Sequence, residues 1–188
     1  MAFGLTYKYV QPGQSILDIG IGTGLGSILF QKAGLEVYGM DISQEMLEVC
    51  RNKGFTYLQL HDLNKPPYPY NSESMDYAVC AGVLHFFSDL SPVFEETARI
   101  LRKGGLFVFI VGDSVEGETH ELEVEPELTK SDRTVMIYRH ILEQIDTCLE
   151  RYGFELVRSL PFTVFMDRER TKIMPFKTYL ARKVTSIG

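Results

Sequence analysis

No stretch of this 188-residue chain approaches the ~20 consecutive apolar residues that a membrane span needs. The opening residues, Met1 to Gln14, combine neither a basic start nor a greasy centre. No secretory leader is read there, and the expected compartment is the cytoplasm. Cysteine is scarce. Cys50, Cys80 and Cys148 lie far apart and form no CxxC pair, which argues against a disulfide framework and against a zinc site, and buried free thiols are the expectation. Positive charge is in short supply as well. Nineteen Lys and Arg stand against 25 Asp and Glu, a formal charge of −6. An acidic domain without a basic stripe grips nucleic-acid phosphates poorly. There is no internal repeat. What is present is ordinary, 45% apolar and 23% charged residues, enough for a single domain over 1–188 with one good core.

The first two thirds alternates strand and helix. Ser15 to Ile19 is a short apolar run ending in glycines, and Leu25, Ile28, Leu29 and Ala33 mark one helical face closed by Gly34. Glu36 to Met40 reads as a second strand. Ser43 caps a helix carrying Met46, Leu47 and Cys50 on one side, with Gly54 as its stop. Phe55 to Leu60 is a third strand, and Pro66, Pro67 and Pro69 forbid helix in the loop that follows. Asp76 to Ala81 is a fourth strand. Ser91-Pro92 opens a helix that buries Val93, Phe94, Ala98 and Leu101 and ends at Gly104-Gly105. Leu106 to Val111, an unbroken apolar run, suits a fifth, parallel strand covered on both faces. This order predicts an α/β, doubly wound, Rossmann-like sheet. Beyond it, Asp113 to Arg133 is polar and acid-rich without a clear period. Ile141, Ile145, Cys148, Leu149 and Tyr152 mark an amphipathic helix stopped by Gly153. Phe154 to Phe165 and Met174 to Val184, joined by the charged loop Asp167 to Lys172, should pair as an antiparallel hairpin.

The strongest local signal is Asp18-Ile19-Gly20-Ile21-Gly22-Thr23-Gly24. Glycines at a strand-to-helix turn let the backbone bend and let a ligand approach it. The dinucleotide spacing G-x-G-x-x-G fails, since Leu25 or Ser27 would stand at its third glycine. An acid two residues before Gly20 is unfavourable beside phosphates and welcome beside an ammonium group. Asp41, at the end of the second strand, can accept both ribose hydroxyls, which suits NAD and adenosylmethionine equally. Asp62, followed by Leu63, can take a hydrogen bond from an adenine amine or serve only to form a turn. Met46 can pack on adenine or fill core. Cys80 to His85 should lie near the reacting centre, because ligands of open α/β sheets sit beyond the carboxyl ends of the strands. His85 reads as a general base or as a structural histidine.

Together these residues resemble the class I S-adenosylmethionine-dependent methyltransferases, in particular the group that includes ubiquinone- and menaquinone-pathway enzymes and many small-molecule enzymes. The resemblance rests on Asp18 to Gly24, Asp41, Asp62, Asp76 to His85 and Ile100-Leu101-Arg102-Lys103-Gly104-Gly105. It implies a seven-stranded sheet of order 3-2-1-4-5-7-6 with strand 7 antiparallel. It also implies S-adenosyl-L-methionine as cofactor. Gly20, Gly22 and Gly24 would floor the methionine part and Asp18 would face its amino group. Asp41 with the adjoining Ile42 would hold the ribose side. Asp62, Leu63 and Met46 would flank the adenine, and the backbone of Cys80 and Ala81 would line the methionine end. Two features depart from the group. Only about a dozen residues precede the first strand, where a covering helix is usual. No Asn-Pro-Pro-Tyr or Asp-Pro-Pro-Tyr follows the fourth strand, which argues against methylation of nucleic-acid bases. Cys80, Ala81 and Gly82 offer no acid for a magnesium-dependent catechol type, so no metal is expected.

A sulfonium methyl is already activated, so the protein need only hold a nucleophile in line with it in a water-poor pocket, with a base where the nucleophile carries a proton of high pKa. His85, His140, Tyr138 and Tyr9 are the polar residues expected at the pocket mouth, and Tyr138-Arg139-His140 resembles a Tyr-x-His stretch of some group members. The acid-rich segment 113–133 is expected to act as a lid, since long connections without regular structure are commonly functional. The expected acceptor is a small molecule, with neither nucleic acid nor membrane as partner. Oligomeric state is left open, a homodimer included. Two other readings compete. A non-catalytic adenosylmethionine-binding protein fits the short N-terminus, and a nicotinamide oxidoreductase is disfavoured by Asp18 and the glycine spacing.

Overall fold

Alternate residues of the central strands go to opposite faces of the sheet, and both faces are apolar. In β1 (Ser15–Ile19), Leu17 and Ile19 join one cluster and Ile16 the other. β4 (Met75–Cys80) and β5 (Leu101–Asp113) divide in the same way: Ala78, Phe107 and Phe109 lie on the first face, Val79 and Val108 on the second. The first face is covered by α4 (Ser91–Ile100) and α5 (Leu142–Arg151), through Val93, Phe94, Ala98, Ile145 and Leu149. The second is covered by α1 (Ala2–Thr6), α2 (Ile28–Lys32) and α3 (Gln44–Asn52), through Ala2, Phe30, Leu47 and Cys50. A sheet buried on both sides is the condition under which parallel strands read as continuous apolar runs. The structure, a computed structural model, describes residues 1–114, 119–124, 134–165 and 173–185, with only the backbone of Val124 and Phe165.

The remaining strands are β2 (Glu36–Asp41), β3 (Tyr57–Leu60), β6 (Glu121–Val124), β7 (Val135–His140), β8 (Phe154–Phe165) and β9 (Ile173–Lys183). β3, β2, β1, β4 and β5 are parallel neighbours in that order. β9 then pairs antiparallel to β5 from Leu106 opposite Arg182 to Gly112 opposite Phe176, and β8 pairs antiparallel to β9. The hairpin β8–β9 thus fills the sixth and seventh positions, and the sheet has the expected order 3-2-1-4-5-7-6 with its last strand in sequence antiparallel. A second hairpin, β6–β7, branches from the far end of β5 through only Gly112 opposite Arg139 and Asp113 opposite His140.

Several expectations are corrected. The second helix is short, and it buries Phe30 edge-on to Phe3 at 5.2 Å, while Leu25 and Leu29 are 71% and 51% exposed. Ile28 and Ala33 of the expected face do pack against the second cluster, beside Phe30. Helix α4 ends at Ile100 rather than at the glycine pair. Leu101 already pairs with Met75, and the register shifts before Leu106 meets Tyr77. A short helix does precede β1, packing Ala2 and Leu5 into the core. Segment 113–133 is not without regular structure, because Glu121–Val124 pairs with β7. Tyr138-Arg139-His140 closes β7 immediately before α5. Residues 115–118 and 125–133, and the loop 167–172, lie outside the described residues.

Candidate active site

Where the parallel strands end, a cavity of about 330 Å³ opens. The loop after β1 contributes Gly20 and Gly22, the end of β2 Asp41 and Ile42, and the end of β3 Asp62, Leu63 and Asn64. Gly82, Val83, Phe86 and Phe87 close it from the segment after β4. Each group leaves the carboxyl end of a different strand, so the sheet itself fixes their mutual spacing.

The glycine loop is laid across the end of β2. The N–H groups of Gly20 and Ile21 both donate to the Met40 carbonyl, at 2.9 and 3.0 Å. Gly22 has φ +53, and a Cβ there or at Gly82 would meet nothing within 4 Å, so it would stand in the cavity. Their missing side chains therefore make the cradle for a ligand. Gly24 serves differently. A Cβ on it would strike Phe55 at 2.6 Å and the Cys50 thiol at 3.1 Å, so this glycine seats the loop on α3.

Three carboxylates were expected to act here, and the structure gives them distinct roles. Asp41 accepts the Gly22 N–H at 2.8 Å and the Ser43 N–H at 2.9 Å, one on each oxygen. It ties β2, the glycine loop and the start of α3 together while facing the cavity. Its oxygens keep lone pairs for further donors. Asp62 accepts the backbone and side-chain N–H groups of Asn64, and these bonds, with Lys65 beside it, hold its carboxyl below the usual range. The loop that carries it is pinned from below: Tyr68 O–H donates to the Leu63 carbonyl at 3.2 Å, and buried Glu96 accepts the Tyr68 N–H while pairing with Arg99. Asp18 is 3% exposed and does not line the cavity. It lies beneath the loop, takes the Ser27 hydroxyl at 2.6 Å, and is pushed up to about 7 by burial, against the pull of that hydroxyl and with a further push from Asp41.

The other expected residues are placed as follows. Ile42 lines the cavity, 68% exposed, whereas Met46 does not line it. Cys80 is fully buried in the first core cluster and Ala81 packs on the second. The lining that the sequence suggested at Cys80 and Ala81 falls instead on Gly82, Val83, Phe86 and Phe87, further along the same segment. The signal for it was Gly82, the first glycine past an apolar strand. His85 sits in the single turn Leu84–Phe86, its ring 4.1 Å from Phe86 and 6.0 Å from Phe176, with Nδ1 buried and without a partner among the described residues. Burial lowers it to about 4, so its ring is neutral near pH 7. It stands beside cavity-lining Phe86 without lining the cavity itself. Tyr138 is half-buried in β7 opposite Glu121, and His140 lines a separate cavity. Tyr9 is a correction. Its carbonyl accepts the Tyr77 O–H at the start of β4, at the opposite edge of the sheet from the glycine loop.

Residues 17–109 match the family model described as a methyltransferase domain. A malonyl-[acyl-carrier protein] O-methyltransferase from Serratia marcescens is 31% identical over 94% of this chain and 64% of its own length. A demethylmenaquinone methyltransferase from Oceanobacillus iheyensis is 35% identical over 54% of this chain and 45% of its own length. The chain thus spans less than two thirds of either relative. A crystal structure of an S-adenosylmethionine-dependent methyltransferase from Methanosarcina mazei superposes with a TM-score of 0.79 at 17% identity, covering 96% of this chain and 97% of that one, which is a likeness of fold. The matched region runs from the first strand to the fifth and holds every residue of the cavity, and on that ground residues 17–109 form a methyltransferase domain.

Proposed function

We propose that the protein transfers a methyl group from S-adenosyl-L-methionine to a small-molecule acceptor by direct in-line displacement. The observation that carries this reading is the open cradle of Gly22 and Gly82 with Asp41 at its rim. The residues fit the cofactor: Gly20 and Gly22 would lie against its methionine part, Asp41 would accept from its ribose, and Ile42, Asp62 and Leu63 would border its adenine. S-adenosylmethionine supplies an activated methyl, so the chain's part is to bind, orient and exclude water. Phe86, Phe87 and Val83 give the cavity an apolar wall for that purpose. His85, neutral beside it, keeps one ring N–H and one acceptor nitrogen and, lowered to about 4, is a weak base near pH 7.

Small-molecule chemistry is supported by the net charge of −6 and by the name of one relative, a demethylmenaquinone methyltransferase, while the other is named for a malonyl group borne on an acyl-carrier protein. No helix among the described residues is long and apolar enough to cross a membrane, and we place the activity in the cytosol. The deciding experiment is release of S-adenosylhomocysteine from S-adenosylmethionine in the presence of acceptor pools: carboxylic acids, phenols and quinols, amines, thiols and, separately, RNA. Release with a small-molecule pool supports the reading. Release with RNA alone overturns the acceptor class, and tight cofactor binding without release from any pool overturns methyl transfer.

A further inference from the structure

Beside the cofactor cavity, the segment after β4 helps to form a second one. Phe87 lines the first, and Ser88, Asp89 and Leu90 line the other, which holds about 350 Å³ against the N-terminal half of α5. From the α5 side it is lined by His140, Glu143, Gln144, Thr147 and Cys148. His140 is 3% exposed, and its Nε2 has no partner among the described residues. Burial is the main influence on this imidazole and lowers its pKa, opposed by the carbonyls of Phe87 and Leu84 and by Gln144, while His120 also disfavours its charge. With Nε2 unpartnered among the described residues, we assign the ring proton to Nδ1. Nε2 is therefore a buried acceptor without a donor, an arrangement that native structures rarely leave unanswered.

The remaining chemistry of the cavity has the same sense. Asp89 and Glu143 bring two carboxylates, and among the described residues no Lys or Arg lines it. The nearby Arg151 is laid over the Tyr152 ring at 5.4 Å. The Thr147 hydroxyl already gives its proton to the Glu143 carbonyl. Leu90 and Ile141 supply an apolar side. Ser88, Gln144 and Cys148 can donate, but the only charged side chains among the described lining residues are the two carboxylates. We propose that the cavity is a binding site for a small alkylammonium ligand, whose N–H groups meet Nε2 of His140 and the carboxylates of Asp89 and Glu143 and whose alkyl part lies on Leu90 and Ile141.

The site is tested without cofactor, so its outcome is separate from that of methyl transfer. The protein is titrated with n-butylamine, n-butanol and n-butanoate, with binding followed by calorimetry and by the 15N resonances of the His140 ring. The expected result is binding of butylamine ahead of both other probes, with a shift of Nε2 as it gains a donor. Affinity should fall about tenfold in the double variant Asp89→Asn, Glu143→Gln, from two partly exposed ion pairs. Asn keeps the acceptor that Asp89 presents to the Ser91 N–H, so α4 retains its start. Equal binding of the three probes, no binding of butylamine, an unmoved Nε2 or an unchanged affinity in the variant each overturn the proposal. Should the variant not fold, the wild-type comparison with the Nε2 signal decides.

Discussion

Asp41 and Asp18 sit on either side of one loop and should answer mutation in different ways. Asp41→Ala removes an acceptor from the cavity and also frees the N–H groups of Gly22 and Ser43. The expected loss in affinity for S-adenosylhomocysteine is about 1.5–3 kcal/mol, roughly 10- to 150-fold. Asp62→Ala should lose less, since its bonds to Asn64 are local and water can take its place at an adenine edge. Calorimetric titration of the three proteins checks both, and equal affinity of wild type and Asp41→Ala would place the ribose elsewhere. Asp18 concerns stability. Its folded pKa of about 7 lies above the ordinary 3.8, so the folded state holds a proton that the unfolded chain releases. Stability is then full below about 4 and declines as pH rises toward 7. Asp18→Asn keeps an acceptor for Ser27 and removes the titration. Its stability relative to wild type should rise by about 2–3 kcal/mol between pH 5 and pH 8. Urea unfolding at the two pH values measures this, and a constant difference would mean that Asp18 is charged throughout.

Among the elements, those stabilised by their own pattern were the legible ones. The strands β1, β2, β4 and β5, the capped helix α3 and the hairpin β8–β9 declare themselves through apolar runs, the Ser43 cap and paired β-rich stretches. Elements that exist only because something else is already in place were not legible. β6 is four residues long and is held by β7, and β7 touches the main sheet through two residue pairs. Helix α2 was found with only part of its buried face, Ile28 and Ala33, and without Phe30, its most buried residue. The site followed the same rule. Glycines and acids at strand ends were found, and Val83 fell within the expected segment after the fourth strand, while Phe86 and Phe87 were not found, because side chains that line a cavity carry no sequence signal distinct from core. The weak attachment of β6–β7 bears on the lid expectation, which this hairpin now carries. An element with few bonds to its neighbours opens without global unfolding. Amides of Glu121–Val124 should exchange faster than those of β9 in the free protein, and slow when S-adenosylhomocysteine and acceptor are both bound. Unchanged exchange there would leave this hairpin without a gating role.

On the scale of the whole molecule, the sheet divides labour by edge. The carboxyl ends of β1 to β4 present the cofactor cavity, and the loops there can vary while the two covered faces keep the strands in place. The outer edge is guarded. β8 carries Pro161 and a register shift between Leu156 and Arg158, devices that discourage further strands from adding. A different exposure arises during synthesis. β5 lies inside the finished sheet, yet its partner β9 is encoded far downstream, Phe109 waiting for Tyr179. At roughly 5–20 residues per second, those 70 residues take a ribosome about 4–14 s. Throughout that interval the edge of β5, with Phe107, Val108 and Phe109 on it, has no strand to close it. A chain stalled before β9 has emerged is therefore the form most apt to associate with its neighbours on a polysome, and the speed of translation past residue 165 bears directly on how much of the protein a cell recovers.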